Sequence, residues 1–153
     1  MKRQTVNECR MSFPSLSRNE GYARAAVSAF AAQCDPPVSV AAEIKTAVSE
    51  AVTNAIVHGY RDTLGTVELV MRLYEDGALY ISVRDKGRGI ADVKQAMQPM
   101  FSTAPAEEER SGLGFTVMES FMDMVRVKST LGRGTTVTME KRLSVRSRQL
   151  DKR

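Results

Sequence analysis

Apolar and polar residues alternate near the start of the chain, at Cys9, Met11 and Phe13, which predicts a first strand. The period then lengthens. Tyr22, Ala25, Ala26, Ala29 and Phe30 recur at helical spacing, and Ser17-Arg18-Asn19-Glu20 before them has the form of a capping box. That helix is expected to stop ahead of Asp35-Pro36-Pro37, because a residue before proline is pushed out of the helical region. A second helix is predicted from about Val40 to His58, with Gly59 as its C-terminal stop. Two alternating segments follow, Val67 to Leu73 and Leu79 to Val83, and Glu75-Asp76-Gly77 between them predicts a hairpin. Residues 91–111 break the pattern with Pro99, Pro105 and the acidic run Glu107 to Glu109. That is long for a plain connection, so the segment is either functional or mobile. A third helix is expected from about Phe115 to Met122 and a strand around Val125 and Val127. A turn at Leu131 to Gly134 and a last strand from Thr135 to Leu143 complete the chain.

The order β, α, α, β, β, loop, α, β, β implies an α+β two-layer sandwich. A sheet of about five strands, mainly antiparallel, would carry its helices on one face. No internal repeat or linker divides the sequence. Residues 1–143 are therefore expected to form a single domain, with 144–153 as a basic, solvated tail.

Within the second helix, Glu50, Asn54 and His58 recur every fourth residue. At the helical pitch they fall within about 80° of one another. Ile44, Val48, Ala51, Val52, Ala55 and Ile56 fill the opposite face. Taken alone, such a stripe reads most simply as a solvated face.

Composition narrows the classes. A chain of 153 residues with 42% hydrophobic and 26% charged content suits one soluble domain. No apolar run approaches a bilayer span, and MKRQTVNECR is followed by no signal-peptide core, so a cytoplasmic protein without membrane contact is expected. The net charge of +4 is local: six of the 22 basic residues and one of the 18 acidic ones lie from Lys141 onward. The basic balance therefore describes a tail rather than a nucleic-acid-binding face. Cys9 and Cys34 lack metal-site spacing, so reduced thiols and no structural metal are expected.

Three glycine clusters remain. Asp85-Lys86-Gly87-Arg88-Gly89-Ile90 follows a strand, and the carboxylate of Asp85 could accept a hydrogen bond from an exocyclic amine. Arg110-Ser111-Gly112-Leu113-Gly114-Phe115 lies where the irregular segment meets a helix, a place where backbone N–H groups can cradle phosphate. Gly132-Arg133-Gly134-Thr135 reads as a hairpin turn whose threonine either touches a ligand or caps the turn.

Singly these are weak signals. In series they resemble the GHKL ATPase superfamily, whose Bergerat fold fits the element order. Within it the chain resembles the sporulation anti-sigma F factors, a family of small serine-protein kinases. SRNEGYARAAVSAF, EIKTAVSEAVTNAIVHGY, VRDKGRGI, QPMFST, ERSGLGFTVMESFMD and GRGTT carry the resemblance from about Phe13 to Leu143.

The resemblance implies ATP and Mg²⁺ as cofactors, with Asn54 as metal ligand and Glu50 as the base acting on the attacking hydroxyl. It assigns Asp85, with Gly87 and Gly89 beside it, to adenine, and Thr135 to supporting that contact. Gly112, Leu113 and Gly114 match the phosphate turn and Arg110 the γ-phosphate contact, making residues 96–111 an ATP lid. The stretch APAEEERSG departs from the closest pattern by about one residue, which bears on the reach of Arg110. The implied partners are an RNA polymerase sigma factor, which is inhibited, and an anti-sigma factor antagonist, which is phosphorylated on serine. Arg24 matches a partner-facing position, and family members are homodimers. A general-stress anti-sigma B type kinase and a nucleotide-gated module without kinase activity remain as alternatives. His58 is either a participant or a helix-end residue packing near Gly59.

Overall fold

The computed structural model describes residues 2–99 and 114–143. Five strands form one sheet: β1 (Thr5–Pro14), β2 (Thr66–Tyr74), β3 (Ala78–Asp85), β4 (Met124–Thr130) and β5 (Gly134–Arg142). Their spatial order is β1-β2-β3-β5-β4, and every neighbouring pair is antiparallel. The helices are α1 (Asn19–Ala31), α2 (Val38–Asn54), the short α3 (Val93–Ala96) and α4 (Gly114–Phe121). The two-layer α+β sandwich expected from the sequence is the observed architecture.

The core lies between the helices and the inner face of the sheet. Leu69, Met71, Leu73, Leu79, Ile81 and Met139 point into it from the strands, each at most 1% exposed. Val27, Ile44, Val48, Val52 and Met118 meet them from α1, α2 and α4. Alternation along β2 thus has a direct cause: one face is dry and the other is wet. On the wet face, Glu8 bridges Arg10 at 2.7 Å and Arg72 at 2.6 Å, and Arg72 lies 5.0 Å from the Tyr80 ring centre.

Three local expectations are corrected. The capping box does not close: α1 has no side-chain cap, and the Glu20 carboxylate turns instead to the Ser49 hydroxyl on α2 and to Arg24 at 3.5 Å. A tertiary acceptor role on α2 has replaced a local one. The second helix ends as α-helix at Asn54 and continues as a π-turn over Ala55–Gly59, closed by Tyr60 N donating to Ala55 O at 3.1 Å. The helical run does end at Gly59, as expected, but without the positive φ that a glycine stop often adopts. Finally, the segment that breaks the alternation begins with α3, whose first turn is capped by the Asp92 side chain accepting from Gln95 N.

Register positions the next feature. Asp85 pairs with Thr135 across β3 and β5, and Thr135 pairs with Ser129 across β5 and β4. Three polar side chains therefore stand in a row at one end of an otherwise apolar inner face.

Candidate functional site

Burial of Ala47, Val48, Ala51 and Val52 fixes the rotation of α2, so the stripe bearing Glu50 and Asn54 is turned away from the core. Both side chains converge beneath the start of α4. A Cβ placed on Gly114 would lie 3.2 Å from Glu50 Oε2 and 3.2 Å from Asn54 Nδ2. One helical turn thus brings a carboxylate and an amide to the same backbone segment.

The π-turn builds the other end. Wider than an α-turn, it carries the backbone of Gly59 against Asp85, where a Cβ on Gly59 would sit 2.7 Å from Asp85 Oδ1. A Cβ on Gly87 would meet Gly59 O at 2.0 Å. Only two glycines permit that approach, and Arg88 N donating to Gly59 O at 2.9 Å seals it. Tyr60 straps the arrangement from behind. Its hydroxyl donates to Thr66 O at 2.8 Å and accepts from Lys86 N at 2.6 Å.

Asp85 is 6% exposed, and burial pushes its carboxyl above the ordinary range. The Gly87 N–H, at 2.9 Å from Oδ1, and the Thr135 backbone N–H act in the opposite direction by favouring the charge. A dry acceptor held by backbone donors is suited to a ligand that brings a further donor. His58 is half-buried, and burial followed by the nearby Arg61 and Arg88 charges lowers its pKa.

These groups line one cleft of about 240 Å³. Glu50, Asn54, His58, Asp85, Gly89, Gly114 and Thr135 all contribute to its wall, with Val83, Ile90, Phe115, Leu131 and Val137 supplying apolar surface. Polar groups at two ends of an apolar slot are what a ligand with a flat base and a charged tail requires. Gly87 is not part of the lining; it packs behind Asp85 against Gly59. Arg24 stands apart on α1, its side chain 45% exposed. Arg110, Gly112 and Leu113 lie outside the described residues, as do residues 144–153 and most of the expected lid.

Two features were missed from sequence. The π-turn has no signature in the hydrophobic period. Ser129 had one: it alternates with Val125 and Val127 and so had to face inward, where a polar residue needs partners.

The sequence model of the histidine kinase-like ATPase domain matches residues 13–141. The anti-sigma F factor of Geobacillus sp. (strain WCH70) is 50% identical over 135 residues, covering 88% of this chain and 92% of that protein. The chain belongs to the anti-sigma F factor family. The family's member in Bacillus subtilis (strain 168) is 49% identical over 138 residues, covering 90% of this chain and 94% of its own. Solved structures support the fold of this anti-sigma F factor relative. The RsbU and RsbW domains of a Mycobacterium tuberculosis protein superpose with a TM-score of 0.65 at 23% identity, over 90% of this chain and 32% of that one. A blue-light activated histidine kinase domain from Erythrobacter litoralis gives 0.57 at 24% identity, over 88% of this chain and 64% of that one. Among the described residues no helix is long and apolar enough to cross a membrane.

Proposed function

We propose that the chain binds ATP with Mg²⁺, inhibits an RNA polymerase sigma factor, and transfers the γ-phosphoryl group to a serine of an anti-sigma factor antagonist. The observation that carries this is convergence: Glu50 and Asn54 at one end of a cleft, Asp85 and Thr135 at the other, with apolar surface between. The family names of the relatives supply the sigma-factor partner. A homodimer in the cytoplasm, built from a single domain over residues 1–143, is the matching assembly.

The residues present fit a metal-complexed nucleotide. Asn54 offers a neutral amide oxygen beside the Glu50 carboxylate, and among the described residues no three His, Cys, Asp or Glu side chains are grouped for a metal. Such a donor set suits Mg²⁺, which takes few protein ligands alongside phosphate and water. When bound, the ion neutralises phosphate charge. Asn54 would hold it, while Asp85 accepts from the exocyclic amine of adenine and the apolar walls exclude water from the base.

Glu50 then takes the proton of the attacking serine hydroxyl. Arg110, with the backbone N–H groups of Gly112, Leu113 and Gly114, would meet the terminal phosphates. Arg24 on α1 presents an exposed guanidinium to the protein partner.

Incubation with labelled ATP, Mg²⁺ and cognate antagonist proteins tests the transfer directly, with label expected on serine. Glu50→Ala should abolish it while ATP binding stays within about a few-fold. Binding without transfer to every cognate candidate would leave a nucleotide-gated module, and the kinase assignment would fail.

A further inference from the structure

Ser129 on β4 makes three short contacts at the end of the sheet. Its Oγ accepts from Ile90 N at 2.7 Å, lies 3.1 Å from Gly134 O, and lies 2.8 Å from Thr135 Oγ1. Ile90 closes the Asp85–Ile90 turn, Gly134 opens β5, and Thr135 lines the cleft. One hydroxyl therefore ties both glycine turns to the only one of the three partners that reaches the cleft with a side-chain hydroxyl.

Proton counting settles the direction of these bonds. A serine hydroxyl has one proton and two lone pairs. Ile90 N can only donate, so it occupies one lone pair. Gly134 O can only accept, so it takes the proton. Thr135 must then donate into the remaining lone pair. No other arrangement turns all three contacts into hydrogen bonds, since a proton sent from Ser129 to Thr135 leaves the Gly134 carbonyl contact without one.

We propose that Ser129 is a positioning residue for base recognition: by consuming the Thr135 proton, it makes Thr135 present a lone pair, rather than a donor, to the cleft. With the Asp85 carboxylate in register on the adjacent strand, the base end then offers two acceptors side by side. That end favours a base whose edge bears an amine, directly or through a bridging water, over one bearing an oxygen acceptor at the same place. The assignment rests on the nucleotide reading above and deepens it by giving the selectivity a structural source.

Removing the Ser129 hydroxyl frees the Thr135 rotor, which can then turn to donate to an oxygen acceptor. The Ile90 N–H also loses its acceptor, so some loss of stability accompanies the change. A purely structural role would weaken all nucleotides alike, whereas a positioning role changes their ratio.

The experiment is calorimetric titration of the full chain with ADP and with 6-methoxypurine riboside diphosphate, which puts an oxygen acceptor in place of the 6-amino group and, unlike inosine, leaves N1 an acceptor. Wild type is expected to prefer ADP. Ser129→Ala should lower the preference by about fivefold, the size of one net hydrogen bond. Ser129→Thr, which keeps the hydroxyl, should restore it. In a Thr135→Val background, Ser129→Ala should change the ratio no further. Should Ser129→Ala prove unfolded, Ser129→Cys replaces it, close in volume but a weak donor and acceptor. An unchanged ratio in a folded Ser129 variant, or no preference in wild type, overturns the assignment. Wild type that binds neither diphosphate overturns the nucleotide reading itself, so the two failures are distinguishable.

Discussion

At one end of the cleft Asp85 is walled in by main chain. Gly59 and Gly87 press against it and each other at distances no side chain tolerates, and backbone N–H groups hold its carboxylate. At the other end Glu50 and Asn54 project from a well-buried helix toward Gly114, where a Cβ would sit a tight 3.2 Å from side-chain tips rather than against backbone. The end proposed for the base is thus made of backbone approaches, and the end proposed for the phosphates of functional groups on a rigid support. Shape is the vulnerable quantity at the first, and chemistry at the second.

The largest test of that contrast is at the phosphate end. Glu50→Gln keeps size and polarity but removes the proposed base, so phosphoryl transfer should fall by about a thousandfold. The melting midpoint and ADP affinity should hardly move, as single-turnover assays and calorimetry would show. A large loss of stability would mean that Glu50 supports the fold as well.

At the base end a single methyl should suffice. Gly87→Ala places its Cβ 2.0 Å from Gly59 O, a backbone atom that cannot swing aside. A loss of about 3 kcal/mol in stability is expected, together with loss of ADP binding. Urea unfolding and titration check both. A variant that melts normally and binds ADP would remove the argument that backbone contact builds this end.

Asp85→Asn separates shape from charge there. ADP affinity should drop by about 30-fold, the size of a charged hydrogen bond. Stability should move the other way. Burial raises the folded pKa of Asp85 above its unfolded value, so its contribution is present at acid pH and is lost as pH rises through the folded value. The unliganded Asn variant should therefore gain on wild type as pH goes from acid to neutral, measured as the difference in melting midpoints.

The smallest effect belongs to His58. Its folded pKa is lowered, so its contribution is present above the unfolded value and is lost as pH falls below about 6.5. Wild type should lose stability more steeply than His58→Gln over that range. Equal slopes would show that neither burial nor the charges of Arg61 and Arg88 lower the pKa of this imidazole.

Much of this was legible in the residues. The inner face of β2 follows from Val67, Leu69, Met71 and Leu73, and the stripe on α2 from fourfold spacing, because side-chain direction is fixed by local geometry. Ser17 to Glu20 misled, since a capping box describes only local options and Glu20 had a tertiary partner in Ser49. Gly59 ends the helix where expected but for a different reason. A glycine at a helix end fits a left-handed stop, yet this one is small so that Asp85 and Gly87 can approach it.

The order of strands and helices, the buried faces, and the polar and glycine residues available for a site were determined by the sequence alone. Periodicity and turn chemistry act between near neighbours, and near neighbours are what a sequence displays. Tertiary structure alone decided that Gly59 meets Gly87, that Glu50 and Asn54 converge on Gly114, and that the Ser129 and Thr135 hydroxyls lie within hydrogen-bond distance. Each of those depends on strand register or on a π-turn, and both are set by packing between segments far apart in the chain.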